Sequence, residues 1–235
     1  MPTRHPSSND ELHLHEAYLL LVLCDEKGTL NWRASFHTYG LAGAAFAELA
    51  LAGRLELGEE KDPFVSVRDA RPTGDDVLDE SLLKINTASR RARASTWVAR
   101  LSRLPRLRHR TAAALCRRGI LKAEEQQILL IFRRTVYPEI DPRPERELMA
   151  RLKRAIVGDA TEVDPHTGVL LALADATGVL NAAFGRKFLR PHRARIKAIT
   201  SGQRMAQGAQ AAIAAARAAV VAITTATAAA AAAAG

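Results

Sequence analysis

A mainly α-helical protein with no catalytic machinery is what this sequence predicts, and three observations lead there. Apolar residues recur at helical spacing through most of the 235 residues, whereas strand-like runs are few and short. Hydrophobic residues make up 48% and charged residues 25%, the balance of a globular chain long enough to bury a core. No motif of a catalytic class occurs: there is no GxSxG, no Walker loop, no GxGxxG after a strand and no paired-cysteine metal pattern.

The elements follow in order. Residues 1–9 contain Pro and Ser and are expected to be disordered. Asn9 or Asp10 can cap a helix through LHEAYLLLVLCDE, apolar nearly all round and so expected at the centre of the fold. A second helix, about 36–51, is rich in Gly and Ala (Gly40, Ala42, Gly43), which lets another helix approach closely. RLEL and FVSV flank the polar link GEEKDP and read as a β-hairpin. PTGDDVLDESLLKI opens a helix with Thr73 or Asp75 as cap and Leu78, Leu82 and Ile85 on one face. Two helices flank Pro105, ILLIF reads as a strand, and ERELMARLKRAIV and HTGVLLALADATGVL are two more helices. A last helix begins near Pro191. One domain over 10–203 is the simplest division, with 204–235 an Ala-rich low-complexity tail expected to form a frayed helix without packing faces.

Charge carries the functional signal. The net charge is +9, but it is regional. Between Asn86 and Lys122 there are 11 basic residues and no acid, and from Ala176 onward there are 8 more, again with no acid. The remaining chain holds 15 basic residues against all 25 acidic ones. Arg outnumbers Lys 27 to 7, which points to GC-rich coding and a bacterial chain. Coding bias does not remove acids from the same stretches, so a polyanion-facing surface is expected. Arg103, Arg106, Arg110 and Arg117 fall at helical spacings and could share a face, and guanidinium forks match phosphate oxygens. Trp97 could be core. Trp32, followed by Arg33, is either a core plug or an interfacial anchor.

Other constellations have plainer readings. Asp75, Asp76, Asp79 and Glu80 complement a helix N-terminus better than they hold a metal. His13 and His15 are placed on different helix faces, which argues against joint ligation. No cofactor is implied. Cys24 and Cys116 read as small buried hydrophobes in a reducing compartment, no signal peptide core is present, and the Ala-rich end is too weakly apolar to span a bilayer. A cytoplasmic protein is expected. The order helix, helix, hairpin over 10–70 also fits a winged helix, so nucleic acid is the rival partner, although the second helix is very apolar for a groove.

Several segments together resemble the Golgi phosphoprotein 3 family of phosphatidylinositol-4-phosphate effectors. They are EAYLLLVLCDEKGTL, YGLAGAAFAELALAGRLEL, PTGDDVLDESL, LRHRTAAALCRRGIL, YPEID, TGVLLALADATGVLNAAF and RARIKAI, in order over about 10–200. The resemblance implies a core helical bundle with peripheral amphipathic helices and one or two short β-hairpins, no catalysis, and peripheral association with a membrane's cytoplasmic face. It implies anionic lipid headgroups as partners, with cytosolic tails of membrane proteins and self-association as further ones. Trp32 corresponds to the family's lipid-site tryptophan. Of two family arginines three apart on a later helix, one falls on Arg108 and the other on Pro105, while a third falls on Ala42. Arg103 and Arg106 flank the gap. The family's hydrophobic hairpin maps near 128–138, where Arg133 and Arg134 follow ILLIF. The expected site is therefore Trp32, Arg33, Arg103, Arg106, Arg108 and Arg110, binding anionic phospholipid in general, with phosphatidylinositol 4-phosphate one candidate.

Overall fold

The computed structural model describes residues 11–23, 28–29, 36–58, 60, 62–128, 132–204 and 210–233. Among these the chain is mainly helical, with two small antiparallel hairpins, as the sequence predicts.

Helix α1 (Leu14–Val22) is buried along its whole length, mostly by apolar residues, and its buried Glu16 is met by Arg118 at 2.6 Å. Helix α2 (His37–Leu51) packs against it through small residues. A Cβ on Gly40 would lie 2.0 Å from the Tyr18 hydroxyl, so only glycine lets the two helices meet there. Tyr18 then donates to Thr177 Oγ1 at 2.8 Å, tying α1 to the end of α7 (Pro165–Ala176). Residues Gly40 to Ala47 of α2 are all buried, so this helix cannot be the groove-reading element of a winged helix.

Strands β1 (Leu55–Leu57) and β2 (Val65–Val67) pair as the expected hairpin, with Glu56 opposite Ser66. Helix α3 (Asp76–Asn86) is capped by Asp75, whose Oδ1 accepts from Val77 N and Leu78 N, both at 2.9 Å. Asp79 reaches back to Thr73 N and Oγ1 at 2.6 and 2.7 Å. Asp75 and Asp79 are thus committed to building the start of α3. Helices α4 (Ala94–Leu101) and α5 (Leu107–Arg117) follow on either side of Pro105. Trp97 is buried on α4, with the Arg100 guanidinium 4.8 Å from its ring centroid.

The second hairpin differs from the expected single ILLIF strand. Ile128 closes β3 (Glu124–Ile128), Phe132 opens β4 (Phe132–Val136), and residues 129–131 between them lie outside the described residues. The paired residues are polar, Gln126 opposite Arg134 and Gln127 opposite Arg133. A short apolar run does not specify a strand by periodicity.

Helix α6 (Arg143–Val157) buries Leu148, Leu152 and Ile156 at i, i+4, i+8 and leaves its charged side out. After α7 come α8 (Val179–Phe184), α9 (Arg186–Leu189), a 3₁₀ turn (Arg190–His192) and α10 (Arg193–Thr200). The last helix, α11 (Gln210–Ala233), corrects the expectation of a frayed extension. Ala215, Ala216, Ala218, Ala219, Ala222 and Ile223 are buried, and the helix packs on α2, α7 and α4. Its face is written in small residues: a Cβ on Gly43 would lie 2.6 Å from that of Ala219. Close approach of two backbones needs no large side chain, so hydropathy hides this face. The bundle α1–α2–α7–α11 forms the core, and the other elements surround it.

Candidate functional site

The turn between α4 and α5 is where the sequence concentrates its cations. Arg103 N donates to Arg100 O (3.2 Å) and Leu104 N to Leu101 O (3.0 Å), which closes α4. Leu104 plugs the core beneath the turn, while Arg103, Pro105 and Arg106 are exposed. Arg106 has φ 54° and ψ 27°, the only non-glycine residue with positive φ among those described. Left-handed backbone costs an L residue about 1–2 kcal/mol. Arg103 and Arg106 have no ion pair or side-chain hydrogen bond among the described residues.

From the first turn of α5, Arg108 and Arg110 diverge. At 3.6 residues per turn, positions two apart point to nearly opposite sides. The expected shared face of Arg103, Arg106, Arg110 and Arg117 therefore does not form as a helical stripe, because Arg103 and Arg106 lie in the turn and not on α5. Arg110 faces α3. Its Nε donates to Asp76 Oδ2 at 2.5 Å, its Nη2 to Asp76 O at 2.8 Å, and its Nη1 to Glu80 Oε2. These carboxylates raise its pKa, and Arg110 lowers that of Asp76.

Arg108 faces the second hairpin and meets no carboxylate. It is half-buried, and its Nη2 lies 3.3 Å from His109 Nε2. His109 Nδ1 lies 2.6 Å from the Tyr137 hydroxyl. Since Arg108 can only donate, Nε2 is the acceptor and the neutral ring carries its proton on Nδ1, donating to Tyr137. Burial lowers the pKa of His109, and the charges of Arg108 and Arg106 lower it further. Burial likewise lowers that of Arg108, with Arg134 of β4 adding to the effect against the Tyr137 phenol. Arg106, Arg108 and Arg134 thus raise one local positive potential around His109 and Tyr137.

Tyr137 is the hub of this corner. Its N–H donates to Gly28 O at 3.1 Å, and Gly28 (φ 61°) leaves so little room that a Cβ would fall 2.0 Å from the Tyr137 carbonyl carbon. Gly28 precedes Trp32 and Arg33 in the sequence, and those two residues lie outside the described residues. The hairpin base is held by Lys122 N to Pro138 O (2.9 Å) and Ile140 N to Ile120 O (2.9 Å). Three sequence-distant segments therefore meet at one tyrosine: the backbone at Gly28, the start of α5 and the end of β4. Arg134, His109 and Tyr137 were not among the expected site residues. The Arg133–Arg134 pair directly after ILLIF is the signal that points to the first of them. Ala42, where the resemblance places a family arginine, is wholly buried on α2 and contributes nothing to a surface.

A second polar centre lies at the N-terminal end of α1. The rings of His13 and His15 stack, with centroids 5.7 Å apart, because α1 begins only at Leu14 and His13 is still extended. The placement on different helix faces is therefore corrected. His13 and His166 both approach the Glu48 carboxylate (3.4 and 3.8 Å), which raises their pKa values, while Glu48 lies well below the usual carboxylate range. Glu48 also accepts from Leu14 N at 2.7 Å, so this centre fixes the start of α1. Cys116 is a free, half-buried thiol whose pKa is raised by burial, and Cys24 lies outside the described residues. Among the described residues no group of three or more His, Cys, Asp or Glu could hold a metal, and no helix is long and apolar enough to cross a membrane.

A model of the family described as Golgi phosphoprotein 3 (GPP34) matches residues 14–223. The match starts on the first residue of α1 and ends at Ile223, a buried residue of α11. Among curated proteins, the vacuolar protein sorting-associated protein 74 of Schizosaccharomyces pombe (strain 972) is 28% identical over 172 residues, covering 65% of this chain and 50% of that protein. The chain thus spans half the length of this relative.

Proposed function

Because this chain belongs to the Golgi phosphoprotein 3 family, we propose that it is a non-enzymatic peripheral membrane protein that binds anionic phospholipid through the corner around Arg108. The observation that carries the reading is the contrast between Arg108 and its neighbour two residues on. Arg108 is a half-buried cation facing other cations, with no carboxylate to compensate it. A desolvated charge without a counter-ion is unfavourable, and a phosphate entering the corner supplies that counter-ion. Arg106 and Arg134 add charge, and Arg103 on the same turn is unpaired. Trp32, four residues after Gly28 in the sequence, would seat at the headgroup level, with Arg33 next to it in the chain.

Each basic contact near an anionic surface contributes about 1 kcal/mol, so three or four give reversible docking to the cytoplasmic leaflet. Pro105 and Ala42 replace two of the family's arginines, which favours recognition of phosphate and surface charge in general over one headgroup; phosphatidylinositol 4-phosphate is the headgroup to compare first. Sedimentation with vesicles at physiological salt tests the reading. Binding to vesicles with phosphatidylserine or phosphatidylinositol 4-phosphate, and not to phosphatidylcholine alone, is expected. Equal binding to neutral and anionic vesicles would contradict it.

A further inference from the structure

The acid-free end of the chain carries cations that the Arg108 corner does not use. Some of them are consumed by the fold. Arg193 donates to Asp175 (2.6 Å) and Asn181 (2.7 Å), and Arg195 to the carbonyls of Ala155 (2.7 Å) and Ala160 (3.1 Å). Arg204 and Arg217 reach the carbonyls of Ala160 and Ser201. Four others are left over. Arg186, Lys187, Arg190 and Lys197 are exposed and make no ion pair or side-chain hydrogen bond among the described residues.

The four sit on a single run. Helix α9, the 3₁₀ turn and α10 follow one another without a gap from Arg186 to Thr200, and Leu189, Ile196 and Ile199 bury one side. Arg186, Arg190, Arg193 and Lys197 recur at spacings of four, three and four, which keeps them close to one line on the other side. Two positions out of step with that line, and so on the opposite flank of the run from Arg186 and Arg190, stands an aromatic column that packs against the core. Phe184 stacks on Phe188 (centroids 5.7 Å apart) and Phe188 meets His192 (5.5 Å), all of them partly exposed, with the Lys153 ammonium 5.9 Å from the Phe188 ring. A merely solvated face mixes both signs of charge. Here the carboxylate that the run engages, Asp175, is already neutralised by Arg193.

We propose that the α8–α10 run is a second membrane-contact surface, on which Arg186, Lys187, Arg190 and Lys197 meet anionic headgroups. Exposed cations that no carboxylate of the fold neutralises are what an anionic bilayer surface attracts, while Phe184 and Phe188 pack against the core and help to hold the run in place. The rings stack on one another, which leaves them poorly placed as separate platforms for nucleic-acid bases. This inference rests on the lipid-binding reading above, and extends it from one corner to two contacts.

The test compares three full-length proteins: the wild type, Arg103→Gln/Arg106→Gln/Arg108→Gln, and Arg186→Gln/Lys187→Gln/Arg190→Gln. Each is titrated with phosphatidylcholine vesicles holding about 30% phosphatidylserine at physiological salt, and its thermal melt is recorded as a fold control. Both triple variants should bind about a hundredfold more weakly than the wild type. If only the first weakens and the second stays within about twofold, the second surface is overturned and the lipid reading stands. If the wild type itself does not bind, both fall together. Loss of duplex DNA binding with vesicle binding intact overturns the proposal in favour of nucleic acid. Should the second triple variant melt early, the single variant Lys197→Gln, at a fully surface position, gives the same comparison at about threefold.

Discussion

Two flanks of α5 carry arginines only two residues apart, and they are used in opposite ways. On the α3 flank, Arg110 is saturated: two carboxylates and a backbone carbonyl take its guanidinium. On the hairpin flank, Arg108 has an imidazole for a neighbour and two further arginines raising the local potential. The same residue type in the same acid-free stretch is structural in one place and uncompensated in the other. What separates them is not local sequence but what the fold brings opposite each one. A cation whose partners are inside the molecule holds the molecule together; one without partners is available to a ligand.

The comparison can be broken most forcefully at its anchor. Gly28→Ala places a Cβ against the Tyr137 backbone at a positive φ, so a loss of about 2–4 kcal/mol is expected. Hydrogen exchange should show opening of the hairpin flank, with α3 remaining protected. Uniform loosening of both flanks would mean that Tyr137 is not the local hub.

Freeing Arg110 sharpens the contrast from the other side. In Asp76→Asn/Glu80→Gln the guanidinium loses its charged partners, and stability should fall by about 2 kcal/mol, read as a shift in denaturant midpoint. Vesicle affinity should rise, since an unpaired cation and two fewer negative charges are then presented. A smaller change is expected at the turn. Arg106→Gly relieves left-handed strain and should stabilise the fold by about 1 kcal/mol while weakening anionic vesicle binding. A gain in stability with unaltered binding would remove Arg106 from the site.

The pH dependence belongs to the other polar centre and serves as a control. The Glu48 carboxylate holds His13 and His166 above their free value of 6.5. Their pairing therefore contributes fully below pH 6.5 and is lost as the pH rises through the raised values. Stability should decline modestly from about pH 6 to about pH 8, and Glu48→Gln should flatten that decline. An unchanged profile in the variant would assign the dependence to other groups.

Much of the fold was legible because burial writes itself into long apolar periods. The largely apolar α1, the i, i+4, i+7 face of α3 and the Asp75 cap all follow from residue type and spacing. The packing of helix α11 was not legible, although the helix was, since Gly43 against Ala219 is a contact of small residues that carries no hydropathy signal. The site was legible in part. The acid-free stretch located the α4–α5 turn, but nothing local distinguishes Arg108 from Arg110. That distinction comes from α3 and β4, which lie 34 residues before Arg110 and 26 after Arg108. His109 and Tyr137 were missed for the same reason, because a hydrogen bond across 28 residues leaves no periodic trace.

The most direct test of the central claim is a paired measurement on Arg108→Ala and Arg110→Ala, with vesicle affinity and unfolding free energy taken on the same samples. Arg108→Ala should lose about tenfold in affinity for anionic vesicles and change stability by less than about 0.5 kcal/mol. Arg110→Ala should lose about 1–3 kcal/mol of stability and bind vesicles within about twofold of the wild type. If the two variants lose affinity equally, the division of α5 into a structural and a ligand-facing flank is wrong.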